Sequence, residues 1–307
     1  MPQQEVVCRA TKSPDSRLMK WSTMDRILAI GGTGTVGRQV VFQLVDRGVP
    51  VRVLARNPEI SVLPQQVEIV RGDLTRPETL DGGLDGVDTV FLVWVAPPAT
   101  VLPALQRILK TTRRIVFLSA PLKTPHPLFQ QPNAARNLNL QIEQLIESSE
   151  REWTFLRPGM FAPNSKLWWG EQIRSGNRVR WPYLDTPTAP IDERDIAAVA
   201  VRALCENGHD RAEYVLTGPA SLSQRVQIES IGRVVGRSLQ IEELTPGEAR
   251  RELLPAFPRP VVGMLLDAWA AASGQPAFVS STFQQITGKP ARSFFEWATD
   301  NAAAFRA

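Results

Sequence analysis

The strongest restriction on the fold of this 307-residue chain comes from a glycine-rich loop, Gly31-Gly32-Thr33-Gly34-Thr35-Val36-Gly37. The loop satisfies G-x-G-x-x-G from Gly32, and it separates an apolar run at 25–30 from a helix-like stretch at about 36–47. Glycine permits positive φ in a tight turn and lets backbone approach a pyrophosphate, while the helix start supplies free N–H groups. The alternative is an ordinary glycine turn, but the strand–turn–helix context favours a dinucleotide-binding loop.

Apolar runs alternate with helix-like stretches along the first half of the chain. After the run at 25–30, further strands are predicted at 51–55, 67–70, 87–95, 114–119 and 153–156. Strands that are apolar throughout and separated by helices are typical of a parallel sheet covered on both faces. We therefore predict an α/β fold, a Rossmann-like doubly wound parallel sheet with a smaller mixed C-terminal substrate-side domain.

The predicted boundaries follow changes in this pattern. Residues 1–23 are polar and unpatterned, which indicates a disordered tail or a mis-assigned start upstream of Met24. Residues 24–160 form the predicted NAD(P)-binding domain, and 161–307 the substrate-side or lid domain. Residues 161–190 are rich in Pro, Trp and Asn and are predicted to be an irregular lid. Segments near 191–217, with a helix at 195–205 and a strand at 213–216, are expected to pack back on the sheet.

Composition excludes several classes of function. The 35 basic and 31 acidic residues give a net charge of only +4, and the basic residues are scattered, which argues against a nucleic-acid partner. Two cysteines and two histidines make a disulfide framework or a metal site improbable. The apolar stretch at 89–105 is broken by prolines and is too short to span a membrane, and no signal peptide is recognisable. We expect a cytoplasmic protein acting on a small molecule.

The end of the second predicted strand indicates which dinucleotide is bound. Sites that prefer NAD usually place Asp or Glu there to bind the ribose hydroxyls. Here the strand is followed by Arg56, and the first acidic residue is Glu59. A guanidinium attracts a 2′-phosphate, so NADPH is favoured over NADH, which stays possible. The alternative is that Arg56 faces solvent.

An ordered set of motifs after Met24 resembles the NmrA-like branch of the atypical short-chain dehydrogenase/reductase superfamily, which binds NAD(P)H. The set comprises Gly31 to Gly37, Arg56-Asn57-Pro58, Gly72-Asp73-Leu74, Phe117-Leu118-Ser119-Ala120, Trp153 to Phe161 and Ile191 to Ala197. The resemblance implies that Asp73 and Leu74 border the adenine. It also implies that Val95 and Ala96 line the cofactor groove and that Pro158 lies near the nicotinamide.

The chain departs from that superfamily in its proton-transfer residues. Typical members carry a Tyr followed four residues later by a Lys that lowers the Tyr pKa. Alignment on Glu143 puts Ala135 and Asn139 at those positions, and the two tyrosines of the chain, Tyr183 and Tyr214, are not followed by a lysine at that spacing. NmrA-like proteins that lack the pair include both quinone-type reductases and non-catalytic redox sensors.

Candidate chemical groups lie after the fifth strand and in the predicted lid. Ser119 stands where such sheets place functional groups, although it is also suited to cap the strand end. His126 is able to donate a proton near neutral pH, or it is a bystander in its loop. Met160, Phe161, Trp168 and Trp169 supply apolar and flat surfaces for a planar substrate, or they pack the core of the second domain.

Three functions remain open from the sequence. The first is an NADPH-dependent oxidoreductase that reduces a small planar electrophile of quinone, enone or imine type without the Tyr/Lys pair. The second is a non-catalytic redox sensor that reports through a protein partner. The third is an isomerase or cyclase on the same fold. The oligomeric state is left open.

Overall fold

The computed structural model describes residues 26–60, 63–253 and 258–306. The segment 1–23, predicted to be a tail or a mis-assigned start, lies outside the described residues. The strands are β1 Arg26–Ile30, β2 Val51–Ala55, β3 Glu68–Arg71, β4 Val87–Val93, β5 Arg114–Leu118, β6 Glu152–Pro158, β7 Arg178–Pro182, β8 Pro187–Thr188, β9 Ala212–Leu216, β10 Leu222–Ser223 and β11 Gln240–Leu244. The helices are α1 Thr35–Asp46, α2 Asp81–Leu84, α3 Val101–Thr111, α4 Pro127–Gln130, α5 Ala134–Glu147, α6 Asn164–Ser175, α7 Glu193–Cys205, α8 Gln224–Val234, α9 Pro246–Leu253, α10 Arg259–Ala272, α11 Thr282–Thr287 and α12 Phe294–Asp300.

Seven parallel strands form the central sheet in the order β3-β2-β1-β4-β5-β6-β9. The chain builds outward from β1 to β3 and then crosses to β4 on the other side of β1. This reversal leaves a crevice at the carboxyl ends of β1 and β4, where doubly wound sheets bind their ligands. The predicted Rossmann-like fold is therefore confirmed.

Helices cover both faces of this sheet, as buried parallel strands require. One face packs against α1, α7 and α11, with Val40 and Ile196 in the shared core. The opposite face packs against α3 and α5, through residues such as Leu105 and Ile142.

A second apolar core lies in the C-terminal half, among α6, α8, α10, α12 and the two-stranded β7–β11 sheet. Segment 161–190 was predicted to be irregular, and this was wrong for much of it, because it contains α6 and β7. Its tryptophans pack in this core, and burial of such large side chains stabilises regular structure that local composition does not favour. Within the part of the chain that the structure describes, no helix is both long and apolar enough to cross a membrane.

Segment 191–217 returns to the main sheet. Helix α7 packs against α1, and β9 pairs in parallel with β6 at the sheet edge. Asp192 caps α7 by accepting a hydrogen bond from the Arg194 N–H at 2.8 Å. The Asp195 carboxylate accepts the Arg292 N–H at 2.7 Å. It therefore ties α7 to the C-terminal segment.

Candidate dinucleotide and substrate site

The glycine loop connects β1 to α1 with close backbone contacts. Gly31 has φ +85°, and a Cβ there would lie 2.7 Å from the Cβ of Val93 on β4. The Gly34 N–H donates to the Gly31 carbonyl at 3.0 Å, which closes the turn. The first and tightest part of the loop therefore requires glycine on both conformational and steric grounds.

Two further glycines hold different positions in this loop. A Cβ on Gly37 would lie 2.8 Å from the Gly31 carbonyl carbon and 2.9 Å from the Gly32 Cα, so α1 packs directly on the loop. A Cβ on Gly34 would meet only the Gly31 oxygen, at 3.3 Å, and would otherwise face open space. No side chain caps α1 and its first turn holds no acidic residue. This arrangement fits a pyrophosphate group beside Gly34.

A groove of about 430 Å³ opens in front of this loop. We call it the glycine-loop groove; its lining includes Gly31, Gly34 to Arg38, Val93, Val95, Leu118, Phe161, Asn164, Lys166, Leu167 and Glu193. Two of these apolar side chains, Val95 and Leu167, are 66% and 69% exposed. Large apolar side chains left in water at a concave surface are typical of a ligand site. The groove thus combines backbone donors with apolar walls.

A second cavity, the β2-side cavity, adjoins the groove through the shared residues Gly31 and Val95 and measures about 90 Å³. Its lining includes Thr33, Arg56, Asp73, Leu74 and Ala96. The structure thus brings together at one cavity the residues that the resemblance assigns to the adenine and the arginine that the sequence assigns to a 2′-phosphate.

Charges at the β2-side cavity are arranged around Asp73 and Arg56. The Thr75 N–H, which donates to Asp73 at 2.8 Å, and the charge of Arg56 hold the pKa of Asp73 below its usual value. Glu59, the first acidic residue after β2, pairs with Arg71 at 3.1 Å and does not line the cavity. Among the described residues, this cavity therefore has no carboxylate at the end of β2 that could bind ribose hydroxyls as in NAD-preferring sites.

A third cavity of about 200 Å³, the apolar pocket, lies beyond the ends of β5 and β6. It is lined by Ala120, Pro121, Leu122, Leu128, Phe129, Gln131, Asn133, Ala135, Arg136, Gly159, Met160, Met264, Leu265 and Ala268. Met160 lines this pocket while its neighbour Phe161 lines the glycine-loop groove. The two spaces therefore lie on either side of the same strand end.

The structure places the tryptophans of the predicted substrate site elsewhere. Trp168 and Trp169 are buried in the second core, where Trp168 contacts Trp181 and Trp269 with ring centroids 5.8 and 5.6 Å apart. Neither lines any of the three cavities. The core-packing alternative therefore describes them, whereas Met160 and Phe161 do face cavities.

The two candidate catalytic side chains are engaged with other protein groups. Ser119 is buried, and its hydroxyl donates to Glu143 at 2.6 Å. Both ring nitrogens of His126 contact backbone groups: Nδ1 accepts the Leu128 N–H at 3.2 Å and Nε2 lies 3.0 Å from the Pro276 oxygen. Neither residue lines the three cavities. This geometry matches the strand-end and bystander alternatives.

Ala135 and Asn139, which the sequence alignment assigned to the positions of the Tyr/Lys pair, carry side chains without acid–base chemistry. Ala135 lines the apolar pocket, and Asn139 donates to the Ala135 carbonyl at 2.9 Å. Tyr214 is hydrogen bonded to His209 Nδ1 at 2.7 Å, and burial raises its pKa. Pro158 is buried at the end of β6 and is followed by Gly159 of the apolar pocket.

Sequence reasoning missed Arg38 on α1 and two charged residues that the C-terminal half contributes to the glycine-loop groove, Lys166 and Glu193. The Lys166 ammonium donates to Asn301 at 2.6 Å and lies 5.4 Å from the Trp297 ring centroid. Glu193 is buried and accepts the Trp297 indole N–H at 2.9 Å. Burial and the neighbouring Asp192 raise the pKa of Glu193. Because both residues reach the groove through contacts with α12, no local motif marks them.

We expect the protein without dinucleotide to lose stability relative to a Glu193→Gln variant as pH rises. The Gln keeps an acceptor for Trp297 but removes the buried charge. The pKa of Glu193 is raised in the folded state. The protonated side chain therefore contributes its full stabilisation below the pKa of the unfolded state, about 4.3, and this stabilisation is lost as pH rises through the pKa of the folded state. Urea unfolding at pH 4 and pH 8 measures this difference.

Glu248 provides the matched control for this pH dependence. It is only partly buried and accepts hydrogen bonds from the hydroxyl and the backbone N–H of Thr245, which lower its pKa. Its stabilising effect is therefore present above the unfolded value, so Glu248→Gln should lose stability at pH 8. A stability difference of the same sign in both variants would contradict the assignment to burial of Glu193.

The chain is similar to known proteins both in sequence and in fold. The model of a family described as NAD(P)H-binding matches residues 31–207. A (4-alkanoyl-5-oxo-2,5-dihydrofuran-3-yl)methyl phosphate reductase from Streptomyces griseus is 40% identical over 286 residues, covering 91% of this chain and 99% of the relative. An NAD(P)H azoreductase from Xenophilus azovorans is 33% identical, covering 92% and 99%. The crystal structure of an NADPH-dependent quinone oxidoreductase from Escherichia coli, complexed with NADPH, has a TM-score of 0.74 at 20% identity, covering 90% of this chain and 99% of that one.

Proposed function

The chain belongs to the NAD(P)H-binding family, and from this premise we propose that it is an NADPH-dependent oxidoreductase that reduces a small planar electrophile. The family membership agrees with the resemblance drawn from the sequence motifs. The two curated relatives are named as reductases, one of a phosphate ester and one that uses NAD(P)H. The substrate class and the preference for NADPH are the parts proposed here.

One observation carries the proposal: the glycine-loop groove and the apolar pocket meet at the ends of β5 and β6. Consecutive residues, Met160 and Phe161, line one space each, and Leu118 and Ala120 do the same at the end of β5. A ring held at this junction would be within contact distance of a dinucleotide that fills the groove. Positioning of two reactants in contact is a large part of what such an enzyme must supply.

The residues present fit a dinucleotide in one orientation. Gly34 and the start of α1 would hold the pyrophosphate, Arg56 the 2′-phosphate, and Asp73 with Leu74 the adenosine. Val95, Leu118 and Phe161 would enclose the nicotinamide end. When bound, the dinucleotide supplies a hydride. The protein itself would orient the nicotinamide ring and the substrate ring. The side chains of Met160 and Phe161 would exclude water from the junction where the two rings meet.

The lack of a Tyr/Lys pair restricts the substrate. Neither Ala135 nor the buried and engaged Ser119 is placed to deliver a proton to a substrate oxygen. Acceptors that take a hydride readily suit such a site, namely quinones, conjugated double bonds and imines or azo bonds. The name of the Streptomyces griseus relative's substrate describes a ring double bond conjugated with two carbonyl groups, which belongs to this class.

Oxidation of NADPH by the purified protein in the presence of quinones, enones and azo dyes tests the proposal. Saturable, acceptor-dependent loss of absorbance at the reduced-nicotinamide band is expected. Dinucleotide binding without turnover on any acceptor would favour the sensor alternative. A product formed without change in cofactor absorbance would favour the isomerase or cyclase.

Replacing Arg56 by Gln should selectively weaken NADPH binding. The guanidinium lines the β2-side cavity, and within the described residues no carboxylate pairs with it. Loss of a charge-assisted phosphate contact is expected to raise the Kd for NADPH about 10-fold or more and to leave that for NADH almost unchanged. Isothermal titration with both dinucleotides measures the two constants.

Arg76→Gln is the matched control for this substitution. Arg76 also acts on the pKa of Asp73 but does not line the cavity. The Arg76→Gln variant should bind NADPH and NADH with dissociation constants within about twofold of the wild-type values, since unpaired surface charges contribute little. Equal weakening of NADPH and NADH by Arg56→Gln would contradict the assignment to the 2′-phosphate.

A further inference from the structure

Of the described residues that line the apolar pocket, one is charged: Arg136, near the start of α5. Its Nη2 donates to the Leu122 carbonyl at 2.8 Å, while its Nε is buried and has no partner. Within the described residues no carboxylate lies at ion-pair distance from it. Most of the five N–H groups of this guanidinium are therefore unused, next to an otherwise apolar cavity.

Two arginines that are buried more deeply than Arg136 each have a carboxylate partner. Arg114 pairs with Glu152 at 2.8 Å, and Arg157 pairs with Glu143 at 2.6 Å. Several exposed arginines also lack a carboxylate partner among the described residues, and two of them, Arg38 and Arg56, line cavities attributed to the dinucleotide. Arg136 differs from these two because it is half-buried beside apolar walls, where a charge without a partner is costly and an anion from outside the chain would offset that cost.

The polar neighbours of Arg136 in the pocket do not serve as that anion. The Asn133 side chain accepts the Arg136 backbone N–H at 2.7 Å and donates to the Gln131 carbonyl at 3.2 Å. The Gln131 amide donates to the Pro127 carbonyl at 3.2 Å. These amides fix the start of α5 and leave the guanidinium without a counter-charge.

We propose that Arg136 binds an oxyanion group of the substrate, whose planar reducible part occupies the apolar remainder of the pocket; this rests on the proposed reductase function. A carboxylate, sulfonate or phosphate ester presents paired oxygens that match the fork of a guanidinium. Apolar walls strengthen such a pairing, because the interaction is poorly screened there. The natural acceptor is then an amphiphile with one acidic substituent.

Kinetics with a matched pair of acceptors, 1,4-naphthoquinone and 1,4-naphthoquinone-2-sulfonate, test this assignment. Arg136→Met should raise the KM for the sulfonate about 10-fold or more and leave that for the neutral quinone within about twofold. Arg136→Lys should recover part of the loss, since it keeps the charge but not the fork. The control is Arg251→Met, an exposed arginine of α9 outside the three cavities, which should change neither KM. Equal effects on both quinones, or none, would overturn the proposal.

Calorimetric titration of the NADPH-loaded protein with octyl phosphate, octanoate and octanol tests the proposed oxyanion site at Arg136 independently of turnover. The two anions should bind more tightly than octanol, and Arg136→Met should remove the difference while preserving the melting temperature. Stronger binding of one anion distinguishes a phosphate from a carboxylate substrate. Equal binding of octanol and both anions by the wild-type protein would overturn the anion site even if quinones are reduced. If no acceptor is reduced but anion binding requires Arg136, the reductase proposal fails and the anion site stands.

Discussion

The substitution Gly37→Ala is expected to destabilise the protein by about 3 kcal/mol and to raise the Kd for NADPH by about two orders of magnitude. The added Cβ would lie 2.8 Å from the Gly31 carbonyl carbon and 2.9 Å from the Gly32 Cα, both backbone atoms. Because no flexible side chain can move away, α1 must separate from the loop. The backbone donors at the start of α1 would then no longer face the pyrophosphate position. Urea unfolding and calorimetric titration with NADPH measure the two effects.

Gly263→Ala distinguishes this steric argument from helix propensity. Both glycines lie inside helices, α1 and α10, but a Cβ on Gly263 would have no neighbour within 4 Å. Propensity alone predicts that alanine stabilises either helix by about 0.5–1 kcal/mol. We expect that gain for Gly263→Ala and the opposite sign for Gly37→Ala. A stabilising Gly37→Ala substitution would mean that the loop and α1 are not packed as described.

Local patterns were sufficient to predict the main sheet. The strand predicted at 51–55 coincides with β2, and the one predicted at 67–70 differs from β3 by one residue at each end. Buried parallel strands are recognisable because they are short and apolar throughout, and the glycine loop marks the carboxyl end of β1 without reference to the rest of the chain. The residues of the β2-side cavity follow the same strand ends, so motif order was enough to group them.

The substrate side could not be predicted in the same way, because its geometry depends on contacts between distant segments. Trp168 is buried against Trp269, about 100 residues later, and a tryptophan in a predicted lid looks the same whether it faces a substrate or a core. Arg136 gave no signal either, since its significance lies in the absence of a partner among the described residues. Ser119 was correctly placed at a strand end, but its engagement by Glu143 depends on how α5 packs on the sheet.

Ser119 belongs to a buried charge network beneath the ends of β5 and β6. Its hydroxyl donates to Glu143, which also accepts from Arg157 Nε at 3.0 Å and from Nη2 at 2.6 Å. Arg157 also forms an ion pair with Glu213, and Glu213 in turn pairs with Lys123 at 2.7 Å near the surface. Burial disfavours the guanidinium charge, but the bonds to Glu143 and Glu213 outweigh it and raise the pKa of Arg157.

Arg157→Met is therefore expected to lower the free energy of unfolding by about 3–5 kcal/mol at neutral pH, because the Glu143 carboxylate would be left buried without a counter-charge. Both side chains of the pair are at most 2% exposed. The double variant Glu143→Leu/Arg157→Met should recover most of the loss, since a buried pair replaced by apolar groups is often nearly neutral. The exposed pair of Arg174 with Glu171 is the control, and Arg174→Met should change the free energy by about 1 kcal/mol or less. Urea unfolding of the three variants and the wild type tests this expectation. A double variant no more stable than Arg157→Met would show that the pair's hydrogen bonds to Ser119 and Glu213, and not the uncompensated charge, carry the stability.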